Sequence, residues 1–176
     1  MKRNVWQLAC LMTFLLITSA CNQYYTREAS KELEEGCYKE SVARYELLFK
    51  EKPKLKEDKK IVTRYEKARR SAGDQLVVEA QETLYQGHPT LAAFLLEEAL
   101  GYDPDKKRYT VAEEAVNQER TRVFGLLETA QKQAERDQFD ASGRNLAQAF
   151  KLDPELLKDE KKGLPHVRAV MHEYGN

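Results

Sequence analysis

Three stretches of the chain align on one another without gaps, and this self-similarity limits the fold more than any other feature. They are GCYKESVARYELLFKEKP (36–53), GHPTLAAFLLEEALGYDP (87–104) and DQFDASGRNLAQAFKLDP (137–154). Each opens on Gly or Asp, places a small residue five positions on (Ser41, Ala92, Ser142) and ends on proline (Pro53, Pro104, Pro154). The prolines are spaced by 51 and 50 residues, and the upstream columns Ala29, Ala80, Ala130 and Tyr25, Leu76, Leu126 keep the same spacing. Within the second unit, Leu91, Ala92, Leu95, Leu96, Ala99 and Leu100 form a broad apolar stripe at helical spacing. A unit of this size cannot cover such a stripe alone, so neighbouring units must stack. Asp103-Pro104 and Asp153-Pro154 end their helices, because the residue before proline disfavours the helical region.

Each unit resembles the helix–turn–helix of a tetratricopeptide repeat. The resemblance implies an all-α, TPR-like helical repeat solenoid of three helix–turn–helix units. It also implies packing roles. Ala29, Ala80 and Ala130 on the first helices allow close approach of the second. The sets Ser41, Tyr45, Leu48; Ala92, Leu96, Ala99; and Ser142, Leu146, Ala149 pack back, and the prolines close the units. The departure is the period, since a standard unit has about 34 residues. The surplus segments, 56–72 and 107–122, contain neither Gly nor Pro and favour helix. Either each unit has a third helix, or the surplus lengthens the next first helix to about 30 residues, about 45 Å. Long connecting helices are the preferred reading, with Gly73 and Gly125 permitting a bend. The repeat domain is expected over 21–154, with cores at 22–53, 73–104 and 123–154. The tail 155–176, interrupted at Gly163-Leu164-Pro165, is expected to cap the last unit.

The first 20 residues differ from everything after them. Lys2 and Arg3 precede an uncharged run from Val5 to Thr18, and the small pair Ser19-Ala20 comes next. That is the layout of a secretory signal, too short for a comfortable membrane span. ITSAC (17–21) resembles the bacterial lipobox, with Thr18 standing where Leu is commoner. The resemblance implies that Cys21 is lipidated and becomes the first mature residue, anchoring the chain to a membrane. Asn22 in place of Asp implies, in a Gram-negative envelope, the outer membrane facing the periplasm. Removal of the signal leaves 27 basic against 29 acidic side chains. Cys10 leaves with the signal, so Cys37 is the one remaining thiol and no internal disulfide framework can form. Its expected place is a turn of the first unit.

No catalytic, cofactor or metal site emerges from the residue patterns. His88 falls in a turn, and His166 and His172 are six apart, so they lack the i, i+4 spacing of helical zinc ligands. The acid pairs Glu34-Glu35, Glu97-Glu98 and Glu113-Glu114 read as solvated helix faces among abundant Lys and Arg. Tyr24, Tyr25, Tyr38 and Tyr45 read as packing residues, with a recognition patch as the functional alternative. KKIVTRYEKARR (59–70) holds six basic residues. It reads as a helix whose apolar side is Ile61, Tyr65 and Ala68, with an anionic lipid or cell-wall surface as the alternative. Export makes nucleic acid an unsuitable partner. The expected role is therefore a lipid-anchored adaptor that binds protein partners in assembly of an envelope complex. An envelope hydrolase or its regulator, and a spacer between membrane and cell wall, are the alternatives.

Overall fold

The three helix-to-helix turns are where the repeating pattern meets the backbone most directly. Gly36, Gly87 and Asp137, the residues that open the aligned stretches, adopt φ of 83°, 85° and 61°. Across the second turn, the amide of His88 donates to the Thr83 carbonyl (3.1 Å) and that of Gly87 to Leu84 (3.0 Å). The third repeats this, with Gln138 to Gln133 (2.9 Å) and Asp137 to Ala134 (2.9 Å). These paired bonds satisfy carbonyls that the helix end would leave open, and they need a left-handed residue at the turn. Glycine adopts that conformation freely, and Asp is among the few others that tolerate it. Asp137→Gly is therefore expected to stabilise the protein by about 0.5–1 kcal/mol, read from chemical denaturation midpoints. A loss of stability would show that the Asp137 side chain is needed at the turn.

The computed structural model describes residues 24–174. Among them the chain is all-α: α1 (24–34), α2 (Tyr38–Glu51), α3 (Lys59–Tyr85), α4 (Pro89–Tyr102), α5 (Thr110–Ala134), α6 (Phe139–Leu152) and α7 (Gly163–Tyr174). The surplus segments do not form separate helices. They are the first halves of α3, with 27 residues, and α5, with 25. Short 3-10 turns, Pro53–Glu57, Lys106–Arg108 and Leu156–Lys158, precede α3, α5 and α7. Pro53, Pro104 and Pro154 are exposed. They follow the ends of α2, α4 and α6, the closing position expected of them.

The chain divides into two compact units, one ending at Ala72 and the other beginning at Gly73, inside α3. In the first unit, Ala29, Tyr45, Leu48 and Phe49 form the core, flanked by Tyr25, Leu55, Ile61, Val62 and Tyr65. In the second, Ala80, Ala92, Leu96, Ala112 and Val116 form one cluster. Leu76, Ala99 and Tyr109 form another, and Val123, Leu127, Ala149, Leu156 and Val167 a third. Full burial of each Leu stabilises by about 1.5–3 kcal/mol. The small residues explain why helices approach closely. Ala29, Ala80, Ala130, Ser41, Ala92 and Ser142 are all fully buried. Ser41 Oγ donates to the Ala29 carbonyl and Ser142 Oγ to that of Ala130, both at 2.7 Å. In the middle repeat the same column is Ala80 against Ala92.

Asp58 and Asp159 occupy one further column, and each caps the helical turn that comes after it. Asp58 Oδ1 accepts from the Lys60 and Ile61 amides (2.9 and 3.3 Å), and Asp159 Oδ1 from those of Lys161 and Lys162 (3.1 and 3.0 Å). The chain after Asp159 also corrects one expectation. Gly163-Leu164-Pro165 does not break a helix but starts α7, because proline in a first turn removes no needed hydrogen bond. Val167 and Val170 are buried, and Tyr174 Oη donates to the Phe139 carbonyl at 2.9 Å. The last helix thus packs against α5, and its end reaches the start of α6.

Candidate functional site

In the first unit, α3 has a cleft on each side. One, of about 690 Å³, is lined by Thr26, Arg27, Ser30, Lys31 and Glu34 of α1 with Leu55, Ile61 and Arg64. Those α1 positions recur at helical spacing, so one side of the helix faces the cleft. Arg64 Nη1 donates to Ser30 Oγ at 3.0 Å, and Ser30 Oγ donates to the Thr26 carbonyl at 2.7 Å. The guanidinium is thereby held across the opening. The other cleft, of about 530 Å³, has a floor of Phe49, Val62 and Tyr65 and a rim of Glu46, Glu66, Lys50, Lys56 and Arg69. Tyr65 meets Phe49 edge-on at 5.2 Å between ring centroids, and its hydroxyl donates to Glu46 Oε1 at 3.1 Å. Arg69 lies over the Tyr65 ring at 5.7 Å. Burial, aided by the Glu46 carboxylate, raises the Tyr65 pKa above its ordinary value, so the phenol remains a neutral donor.

The second unit holds two polar clusters that periodicity does not reveal. Asp153 is 1% exposed, and its Oδ2 accepts from Thr90 Oγ1 at 2.7 Å. Arg120 pairs with Asp159 and lies 5.4 Å over the Phe124 ring. Arg120 and Asp159 line a cleft of about 310 Å³ with Ala93, Phe94 and Glu97 on one side and Lys158, Lys161 and Lys162 on the other. In the second cluster, Arg108 bonds both oxygens of Asp74 at 2.8 Å and also pairs with Asp103. Asp103 and Asp153, read from sequence only as punctuation before proline, are thus buried tertiary contacts. Their recurrence at the repeat spacing was the available signal.

Burial pushes the Asp153 carboxyl above its ordinary value of 3.8, against the pull of Thr90, the Glu155 amide and Arg120. The folded chain therefore holds this proton to higher pH than the unfolded chain does. Its contribution to stability is full below about pH 4 and falls as pH rises through the raised value. Asp153→Asn removes the titration while keeping an acceptor for Thr90. The stability of the wild type minus that of Asp153→Asn is expected to decrease as pH rises above about 4, in thermal unfolding at pH 4, 5.5 and 7. An increase over that range would contradict the assigned direction.

Of the residues singled out in the sequence, Ala29, Ala80, Ala130, Ser41, Ala92 and Ser142 meet pairwise inside the helix hairpins. Cys21 and the signal segment 1–20 lie outside the described residues. Cys37 is exposed in the first turn. Tyr45 is buried, whereas Tyr24 is 59% exposed. His88 lies 4.0 Å from Glu155, and His166 stacks at 5.4 Å on Phe124. Among the described residues no group of three or more His, Cys, Asp or Glu is arranged to hold a metal ion, and no helix is long and apolar enough to cross a membrane. The chain matches no family model, and no curated protein or solved structure matches it either.

Proposed function

We propose that the chain is a lipid-anchored envelope adaptor, a TPR-like helical-repeat solenoid that binds a protein partner in assembly of an envelope complex. Cys21 is the lipidated residue in this reading, and the outer membrane, facing the periplasm, is the anchoring surface. The repeat architecture is supported by the three left-handed turn residues and the buried small-residue pairs, which keep one spacing along the chain. The observation that carries the binding role is the cleft floored by Phe49, Val62 and Tyr65. Its aromatic floor offers large contact area at low entropy cost, and its rim of both charge signs suits a partner side chain of either sign. Val62 is only half-buried there, so it is the residue through which the cleft can be altered without emptying the core.

The test is affinity capture from detergent-solubilised envelopes with the wild-type chain and with Val62→Glu. One stoichiometric protein partner, lost from the variant while its helical content is kept, is the expected result. Capture of no partner by the wild type would point to a spacer or an enzyme. The anchor is tested separately by mass analysis of the mature N-terminus, where a free α-amino group on a residue other than a modified Cys21 would end that part of the reading.

A further inference from the structure

The basic segment of α3 is not distributed around the helix. Lys59, Lys60, Arg64, Lys67 and Arg70 are all exposed, and at 3.6 residues per turn they fall within an arc of about 140°. Thr63 also lies in this arc, and Glu66 lies outside its edge. Ile61, Tyr65, Ala68 and Ala72 occupy the opposite, inward side. The sixth basic residue, Arg69, is turned away over Tyr65. Among the described residues no carboxylate is paired with any of the five, and Arg64 is bonded to the neutral Ser30. Lys60–Arg64 and Lys67–Arg70 are like-charge pairs at helical spacing, which weaken a helix unless an anionic partner compensates them.

The face continues onto α1. Arg27 and Lys31 line the same cleft as Arg64, where Glu34 also lies and Lys31 pairs with the exposed Glu35 at 3.7 Å, and the exposed Tyr24 shares their side of the helix. Charge is also segregated along the chain. Residues 24–72 carry 14 basic and 10 acidic side chains, whereas residues 73–174 carry 13 and 19. Only two residues separate Cys21 from Tyr24. Even fully extended, that link reaches about 10 Å, comparable to the Debye length at 0.1 M salt.

We propose that this face, formed by Arg27, Lys31, Lys60, Arg64 and Lys67 around Tyr24, docks on the anionic head groups of a phospholipid membrane. The inference rests on the anchored reading for its choice of partner, because the tether holds this unit within electrostatic range of lipid. Each basic residue near an anionic surface favours contact about fivefold, and the attraction is lost at high salt. The first unit then lies against the bilayer while the Phe49–Tyr65 cleft, on another side of α3, stays open.

The experiment uses the full chain purified from its host and reconstituted into phosphatidylcholine vesicles or into 3:1 phosphatidylcholine–phosphatidylglycerol vesicles. A water-soluble amine-acylating reagent is added, and labelling is read residue by residue by mass spectrometry. Lys59, Lys60 and Lys67 are expected to react about fivefold more slowly on the anionic vesicles, with the difference abolished by 0.5 M salt. Lys50 and Lys56, on the rim of the other cleft of the same unit, are expected to react equally on both. In a Lys60→Gln/Arg64→Gln/Lys67→Gln chain, the protection of Lys59 is expected to disappear. Equal rates for the wild type on both vesicles would overturn the proposal. Protection that appears only on adding polyglutamate would also overturn it, assigning the face to an acidic protein. The same spectra report the chemistry of Cys21, so loss of the anchored reading and loss of this one are read independently.

Discussion

Ala130→Trp is expected to lower the midpoint of thermal unfolding by about 6–12 °C, the largest effect foreseen for a single substitution in this chain. Ala130 is fully buried, and its carbonyl accepts the Ser142 hydroxyl across the hairpin at 2.7 Å. One and two turns earlier, Leu127 and Val123 belong to the cluster that α6 and α7 cover. A methyl group is therefore the only side chain that the α5–α6 approach accommodates. An indole there forces the helices apart, breaks the Ser142 bond and opens the neighbouring cluster. Overpacking of cores costs about 1–3 kcal/mol, and a change of this size belongs at the upper end. Glu128→Trp, two residues away on an exposed position, is the control and is expected to stay within about 0.5 kcal/mol of the wild type. An unchanged midpoint for Ala130→Trp would mean that the recurring alanine column does not mark the helix seam.

That column is legible in the sequence because its cause is local and repeated. A close helix crossing needs a small residue each time, and a left-handed turn needs Gly or a tolerant substitute each time. Both demands recur at one spacing, so Ala29, Ala80 and Ala130, and Gly36, Gly87 and Asp137, align. The merging of the surplus segments into α3 and α5 reflects their lack of Gly, Pro and cap signals. The hidden part depends on contacts between different columns. Asp153 bonds Thr90, 63 residues away, and Arg120 pairs with Asp159, 39 residues away. Periodicity places Asp153 in a column with Asp103, but it is silent about which distant residues Asp153 and Arg120 meet. Pro165 looks like a breaker in the sequence and proves to be a helix starter, because proline's meaning depends on whether it falls before or inside a first turn. The candidate clefts are similar. Their residues are visible as a basic run and as aromatic positions, but the separation of Lys60, Arg64 and Lys67 from Arg69 emerges only once the helix is in place.

Gly73 gives the sharpest case of a residue whose role reads differently in three dimensions, and it yields a double substitution with opposite signs. The sequence allows it a bend in a long helix. In the structure α3 runs through it, and a Cβ at this position would collide with Tyr109 Oη and lie 3.3 Å from the Ala99 carbonyl. Tyr109 is 3% exposed, so it has little room to retreat, and its hydroxyl lacks a hydrogen-bond partner among the described residues. Gly73→Ala is therefore expected to cost about 1–3 kcal/mol through overpacking, although Ala is normally favoured over Gly inside a helix by about 1 kcal/mol. Tyr109→Phe removes both the obstructing atom and an unsatisfied buried hydroxyl, and is expected to stabilise by about 1 kcal/mol. With the hydroxyl gone, the new methyl would rest 3.4 Å from the ring carbon, an ordinary contact. The double variant should then recover the loss and return at least to the stability of the wild type, with the Ala99 carbonyl at 3.3 Å as the tightest remaining neighbour. The cycle's coupling energy, measured by urea denaturation of the four chains, is the quantity that decides. Additive effects of the two substitutions would mean that Gly73 is not there to admit the tyrosine.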